Sequence, residues 1–262
     1  MPEEIEALVD RAADLIVGAK RIVVFTGAGI STESGIPDFR SRDGIWSKYD
    51  PDDFTYQKFL SSPEARKKHW KLLGTDFWFG AQPNAAHYAV AELERLGKLD
   101  CVITQNVDEL HERAGNSPEK VIHLHGTMRY ARCLQCGKRY LMEEVRKWLA
   151  QGVEIPDCPE CGGLLKPDVI FFGEAMPAWE TAEAQRRSSS CDLCIVIGSS
   201  LVVYPAALMP RYALQSGAKL IIINRDPTDL DGAADVCLHR AAGEVMSQII
   251  QRVKEKLGRS EE

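Results

Sequence analysis

Four cysteines are spaced for a metal. Cys133 and Cys136 form a C-x2-C pair, and 21 residues later Cys158 and Cys161 form a second. Gly137 and Gly162 follow the pairs, and glycine permits the tight turn that aims two sulfurs at one point. Four thiolates would close a tetrahedral zinc site with no position left for substrate, so the expected metal is structural, with a set of reduced thiols as the alternative. Cys101, Cys191, Cys194 and Cys237 lie in or beside apolar runs and are read as core packing. A redox role for the Cys191-x2-Cys194 pair is the alternative there.

A second kind of chemistry needs a base. Of six histidines, His69, His87, His111 and His239 fall in helical or surface-like contexts. His123 and His125 flank Leu124 in one apolar run. His123 falls inside that run, where a hydrogen-bonded core histidine is expected. His125 ends it, beside Gly126 and Thr127, where a near-neutral imidazole could act as a general base or be merely structural.

A third needs a phosphate cradle. Gly27-Ala28-Gly29 directly follows an apolar run, the place where backbone N–H groups approach a pyrophosphate. Thr32 stands where the third glycine of the six-residue fingerprint belongs, so a plain strand-to-helix turn is the competing reading. Asp38-Phe39-Arg40 then sets an anion, a ring and a guanidinium in a Gly/Pro-flanked loop that could close over a ligand.

The elements that must position these groups are legible. Runs at 21–25, 101–104, 121–124, 193–198, 219–224 and 236–238 are continuously apolar, as in strands buried on both faces of a parallel sheet. Helical patterns occupy about 3–19, 84–97, 107–114, 205–216 and 242–257. Strands alternating with helices predict a doubly wound parallel α/β sheet of Rossmann type. Residues 45–80 and 128–167 break the rhythm and read as two insertions forming a smaller zinc-binding domain, leaving 1–44, 81–127 and 168–262 to the sheet domain. Residues 258–262 read as a frayed end. Ligands of such sheets lie at the carboxyl ends of strands, and five ends here carry small or hydrogen-bonding residues: Gly27 to Gly29, Thr104 to Asp108, His125 and Gly126, Gly198 to Ser200, and Asn224 to Asp226. A single such residue is usually a helix cap, and Asp108 could be one; five together favour a cofactor crevice.

Composition excludes several classes. The net charge of -6 argues against a nucleic acid partner. No apolar stretch reaches the roughly 20 residues needed to span a bilayer, and the acidic start MPEEIEALVD is unlike a signal peptide. A cytoplasmic monomer is expected.

Taken in order, the motifs resemble those of the sirtuins, the NAD-dependent protein lysine deacylases. Gly27-Ala28-Gly29-Ile30-Ser31 with Gly35-Ile36-Pro37-Asp38-Phe39-Arg40 is similar to one family signature, and Thr104-Gln105-Asn106-Val107-Asp108 with Leu110-His111 to another. His125-Gly126, the cysteine pairs, Phe171-Phe172-Gly173-Glu174, Gly198-Ser199-Ser200-Leu201 and Ile223-Asn224 complete the series over nearly the whole chain. The resemblance implies NAD as co-substrate, with Ala28, Asp38, Phe39 and Arg40 in the cofactor loop. Gln105 and Asn106 would contact the ribose beside nicotinamide, and Asp108 would hold the nicotinamide amide with Val107 beside it. Ser199, Ser200 and Asn224 would serve the phosphate and adenosine end. His125 would be the base. Ile170, Phe172, Gly173, Glu174, Leu201 and Val202 would line the acyl-lysine tunnel and a peptide groove between the domains, where substrate adds as a strand.

In that family NAD is an electrophile. The nicotinamide–ribose bond breaks, and the acyl oxygen captures the ribose carbon as an alkylimidate. A base then removes a ribose hydroxyl proton for attack on the imidate, and water releases lysine and O-acyl-ADP-ribose. Phe39 could shield the ribose face against wasteful hydrolysis. Val107 stands where the family commonly has isoleucine, a difference of one methylene. Family members preferring succinyl or malonyl groups carry a tyrosine and, three residues on, an arginine; here the nearest match is Trp70 and Leu73. With no arginine to pair an acyl carboxylate, a neutral-acyl deacylase is expected, acetyl first. A sirtuin-fold ADP-ribosyltransferase would share every NAD residue. A non-catalytic zinc-ribbon binding module and a hydride-transferring dehydrogenase are the rival readings from other classes.

Overall fold

The computed structural model describes residues 2–74 and 78–258. Residues 75–77 of the first expected insertion and residues 259–262 of the frayed end expected at 258–262 lie outside the described residues, while Gly258 is described as the last residue of the C-terminal helix. The chain opens with α1 (Pro2–Gly18), β1 (Ile22–Thr26) and a 3-10 helix over Ala28–Ser34. Next come α2 (Tyr56–Ser61), α3 (Pro63–Leu73), α4 (Ala85–Arg95), β2 (Leu99–Thr104), α5 (Leu110–Ala114) and β3 (Val121–His123). A middle portion holds β4 (Gly126–Cys133), β5 (Arg139–Leu141), α6 (Met142–Ala150) and β6 (Leu165–Val169). The chain then runs through α7 (Ala178–Ser188), β7 (Leu193–Ile197), α8 (Leu208–Gln215), β8 (Lys219–Ile223), β9 (Val236–Leu238) and α9 (Ala242–Gly258).

Six parallel strands form the large sheet in the order β3-β2-β1-β7-β8-β9. The continuous apolar runs follow from its two covered faces, because alternate side chains of one strand serve opposite cores. Ile22 and Val24 of β1 pack with Ala12 and Ile16 of α1, Val90 and Leu93 of α4, and Ile249 of α9. Val23 and Phe25 pack on the other face with Ala184 of α7 and Met209 and Ala213 of α8. Cys101, Cys191 and Cys194 lie in this second core, where burial pushes all three thiols above their ordinary range, so packing describes them. Strand order reverses between β1 and β7, and at that switch point neighbouring strands feed crossovers on opposite faces and leave a crevice.

The connections differ from the expected helices in instructive ways. A dinucleotide fold usually runs from its glycine turn into a long α-helix; here the turn enters a seven-residue 3-10 helix ended by Gly35 at φ 86°. Ser, Thr and Ile are poor helix formers, and Gly35 with Pro37 forbids continuation. Asn84 caps α4 by accepting from the Ala86 N–H, while the Asn84 N–H donates to His87 Nδ1, a reciprocal cap worth about 1 kcal/mol. The helix expected at 107–114 is confined to α5, because Glu109 takes φ 58°. α7 was not anticipated, since its sequence AWETAEAQRRS carries too few apolar residues for a clear stripe.

The segment from β4 to β6 is built differently from the large sheet. β5, β4 and β6 form an antiparallel sheet of three. Ala131, Tyr140, Met142, Val145 and Leu165 from this part share one apolar cluster with Trp70 and Leu73 of α3. No helix among the described residues is long and apolar enough to cross a membrane.

Candidate active site

A cavity of about 400 Å³ opens at the carboxyl ends of the large sheet. Gly27, Ala28, Gly29, Asp38, Phe39, Arg40, Gln105, Asn106, Val107, Asp108, Gly198, Ser199, Ser200 and Asn224 all border it. His125 borders the same space, as do Ile170, Phe172, Gly173, Glu174, Leu201 and Val202. Loops that are distant in sequence meet there because each leaves the sheet at the same edge.

Glycine is required where β1 and β7 end. The Gly29 N–H donates to the Gly198 carbonyl at 2.8 Å, and Gly198 holds φ 62°. A Cβ on Gly198 would lie 2.1 Å from the Ile30 nitrogen, and one on Gly29 would lie 2.7 Å from Gly198 Cα. The close approach leaves a backbone-lined floor of the kind a pyrophosphate needs.

Ser31 centres the polar wall. Its hydroxyl donates to Asp108 Oδ2 at 2.6 Å and accepts from Asn106 Nδ2 at 3.1 Å, which also donates to the Gly27 carbonyl at 3.1 Å. Asp108 Oδ1 accepts the Leu110 N–H at 3.0 Å, so this carboxylate starts α5 as well as facing the cavity. Burial raises the Asp108 pKa above the ordinary carboxylate value, opposed by the bonds from Ser31 and Leu110. This role of Ser31 is not visible in the sequence, because a 3-10 turn that brings it over Asn106 and Asp108 leaves no mark in residue spacing. Behind this wall Thr26 Oγ1 donates to Thr104 Oγ1 at 2.8 Å and lies 3.1 Å from His111 Nε2, while Thr104 Oγ1 accepts the Asn106 N–H at 3.0 Å. His111, expected to be structural or solvated, is structural: it is part of the buried support of the Asn106 loop.

Gln105 serves both sides of the crevice. Its Nε2 donates to Ser199 Oγ at 2.9 Å, and its backbone carbonyl lies 3.0 Å from His125 Nδ1. A carbonyl oxygen only accepts, so the proton of neutral His125 sits on Nδ1 and Nε2 keeps its lone pair. Burial lowers the His125 pKa, against the raising effect of the Gln105 carbonyl, which keeps the ring neutral at pH 7. His123 differs. Burial opposes its charge, but Glu112 Oε1 at 2.5 Å outweighs that and raises its pKa, so it is an ion-paired structural residue.

The rest of the rim mixes apolar surface with fixed loops. Phe172 and Val202 are exposed, and Leu201 holds φ 58° while its N–H donates to Ser199 Oγ at 3.3 Å. Backbone bonds from Tyr56 N–H to the Phe172 carbonyl and from Phe172 N–H to the Phe54 carbonyl tie this loop to the first insertion. Glu174 spends its charge inward, accepting from buried Lys166 Nζ and from the Phe171 N–H, each at 3.0 Å. Asp38 Oδ1 accepts the Arg40 and Ser41 N–H groups at 3.0 and 2.7 Å, a local turn that presents Phe39. Leu73 reaches the cavity wall while Trp70 is fully buried, and Arg40 is the only arginine or lysine among the described residues of that wall.

Apart from the cavity, Cys133, Cys136, Cys158 and Cys161 bring four sulfurs within 4.8 Å of one another. The Cys133–Cys161 and Cys136–Cys158 separations are 3.5 and 3.7 Å. A tetrahedron with zinc–sulfur bonds of about 2.3 Å requires sulfurs about 3.8 Å apart, so the four thiols fit zinc. Tyr140 Oη lies 3.1 Å from Cys158 Sγ, and the Gln135 and Cys136 N–H groups donate to Cys133 Sγ, the outer bonds that thiolate ligands use.

A dinucleotide crevice at the switch point of a parallel sheet, beside a four-cysteine zinc module, defines an NAD-using protein with a structural metal. The pattern of the Sir2 family matches residues 27–205. The NAD-dependent protein deacetylase 1 of Pyrobaculum aerophilum is 45% identical over 248 residues, covering 94% of this chain and 95% of that one. The NAD-dependent protein deacetylase of Thermodesulfovibrio yellowstonii is 46% identical over 248 residues, with the same coverage of each. A solved structure described under the mechanism and regulation of Sir2 enzymes superposes with a TM-score of 0.88 at 45% identity, covering 96% of this chain and 99% of that one. The chain belongs to the Sir2 family.

Proposed function

We propose that this protein is an NAD-dependent protein lysine deacylase acting on neutral acyl groups, acetyl first. The observation that carries the reading is the orientation of His125, whose Nδ1 proton is held by the Gln105 carbonyl and whose Nε2 is left as a base at the cavity. NAD, when bound, supplies an electrophilic ribose carbon at the bond to nicotinamide. The residues of this chain prepare the rest. The glycine floor takes the pyrophosphate, Ser199, Ser200 and Asn224 take the phosphate and adenosine end, and Asn106 with Gln105 orients the adjacent ribose. Asp108, held by Ser31 and Leu110, accepts the nicotinamide amide N–H. His125 Nε2 takes the proton of a ribose hydroxyl, and Phe39 keeps water from that face.

The substrate is an acyl-lysine within a protein or peptide. An acylated lysine has lost its charge and offers an aliphatic stem, which suits a passage between Val107, Met128, Ile170 and Phe172. Backbone on the 171–174 and 201–203 segments would pair with the flanking peptide as an added strand. Zinc would join the two knuckles and hold the antiparallel sheet, with no open position for chemistry. That sheet and the first insertion form the small domain in this reading, and the remaining segments form the NAD-binding domain.

Incubation with labelled NAD and an acetyl-lysine peptide tests the proposal. The expected products are nicotinamide, deacetylated peptide and labelled O-acetyl-ADP-ribose. Label on protein with the acetyl group retained would support the ADP-ribosyltransferase instead.

A further inference from the structure

Among the described residues, two groups of potential metal ligands converge, and the cysteine knuckles are only one of them. The other is Asp231, Cys237 and His239, whose ligand atoms all lie within 4.8 Å of one another at the surface. Asp231 belongs to a 3-10 turn at Asp231–Ala233, while Cys237 lies in β9 and His239 directly follows it. Nothing in the sequence joins these residues, since the cysteine passes as packing and the histidine as a structural or solvated residue.

Each side chain turns a donor inward and has its other polar atom, where it has one, anchored outside. His239 Nδ1 lies 3.0 Å from the Asn224 carbonyl, an acceptor only, so Nδ1 carries the proton and Nε2 faces the cluster. A carbonyl partner on the distal nitrogen is the usual outer bond of a metal-ligating histidine. Asp231 Oδ1 accepts from Thr228 Oγ1 at 2.6 Å, which leaves Oδ2 to face His239 Nε2 at 3.2 Å. Cys237 Sγ lies 3.5 Å from the same nitrogen. A tetrahedral ion with bonds of about 2.1 Å to N and O and about 2.3 Å to S would set the N–O and N–S separations at about 3.4 and 3.6 Å. Both observed distances suit such an ion.

We propose that Asp231, Cys237 and His239 form a second metal site, for a zinc-class divalent cation, with three protein ligands and one open position. A mixed S, N and O donor set matches borderline ions rather than magnesium or calcium. The ion would clip the Asp231 turn to the end of β9 beside Asn224. This assignment does not depend on the deacylase reading, because none of the three ligands belongs to the knuckles or borders the cavity.

The test is a zinc titration of protein carrying one zinc per chain, against a chromophoric chelator. Wild type is expected to take a second equivalent. His239→Ala and Cys237→Ser are each expected to weaken that equivalent at least tenfold while keeping the first. Asp231→Asn, on the surface turn, is the variant least exposed to misfolding and should weaken it too. Cobalt added to the one-zinc protein should give a thiolate-to-metal charge-transfer band that Cys237→Ser abolishes. Saturation of wild type at one equivalent would overturn the proposal and leave only a contact between Asp231 and His239. A second equivalent unchanged in the three variants would overturn it as well.

Discussion

His125 Nδ1 and the backbone oxygen of Gln105 lie 3.0 Å apart, and this contact decides what the histidine can do. It fixes the ring orientation and the neutral tautomer together. The same Gln105 reaches Ser199 through its side chain, so His125 and Ser199 are aligned across the crevice by one residue.

The pH dependence follows from the sign of the His125 shift. Burial places its pKa below the ordinary 6.5, and the base works only when neutral. kcat/KM should be flat from pH 7 upward to the next ionisation and begin to fall only below pH 6.5, by about tenfold per pH unit once His125 protonates. A midpoint above 7 in an initial-rate pH profile would contradict this. The lowered pKa also means that the folded state binds fewer protons than the unfolded chain, so this residue's contribution to stability declines as pH falls through 6.5.

Asp108 offers a separation of stability from activity. Its folded pKa is raised, so at neutral pH its charge is a net cost to the fold. Asp108→Asn should therefore leave the Tm equal or higher while kcat/KM for NAD drops by about 10–100-fold, the worth of a hydrogen bond to a charged group. Ser31→Ala removes two bonds at once, to Asp108 and Asn106, and should lower kcat/KM for NAD by roughly 10–30-fold. Steady-state kinetics with NAD varied, beside thermal melts, distinguishes both effects from misfolding.

Zinc removal should act at a distance. Cys133 and Cys158 belong to the same apolar cluster as Trp70, Tyr140 and Leu165. β4 begins beside His125, and the Ile170 N–H, just past β6, donates to the His125 carbonyl at 2.8 Å. Chelation or Cys133→Ala should abolish the near-ultraviolet circular dichroism of the Tyr140–Trp148 pair and deacylation together. Folded, fully active zinc-free protein would refute a structural role.

Acyl preference is set by what the cavity wall lacks. Arg40 in the glycine-loop segment is the only described lysine or arginine there, and Leu73 occupies the wall at the position nearest to that of an anion-pairing arginine in succinyl-preferring family members. An acetyl-lysine peptide should be turned over faster than its succinyl twin at equal concentration, and the reverse order would show that a cation does reach the acyl terminus.

Much of this was legible in the sequence because its causes are local. Continuous runs such as Leu193 to Ile197 reveal a strand buried on both faces, and paired C-x2-C turns reveal a metal. The crevice was legible as five polar strand ends because parallel topology brings such ends to one edge. What escaped was long-range or compensated. Ser31 acts across 75 and 77 residues, on Asn106 and Asp108. The pairing of Glu174 with buried Lys166 leaves no mark in the spacing, and β6 hides because Lys166 and Asp168 interrupt its apolar pattern. Lys166 is buried through its pair with Glu174, and Asp168 through pairs with Arg132 and Arg139, so charge complementarity does there what hydrophobicity does in the large sheet.

The most direct measurement is the rate at which His125→Ala deacetylates an acetyl-lysine peptide in the presence of NAD at neutral pH, relative to wild type. Loss of a positioned base predicts a fall of about 10²–10⁴-fold, with the melting temperature retained and O-acetyl-ADP-ribose formed by wild type. A variant that deacetylates at the wild-type rate would contradict the account.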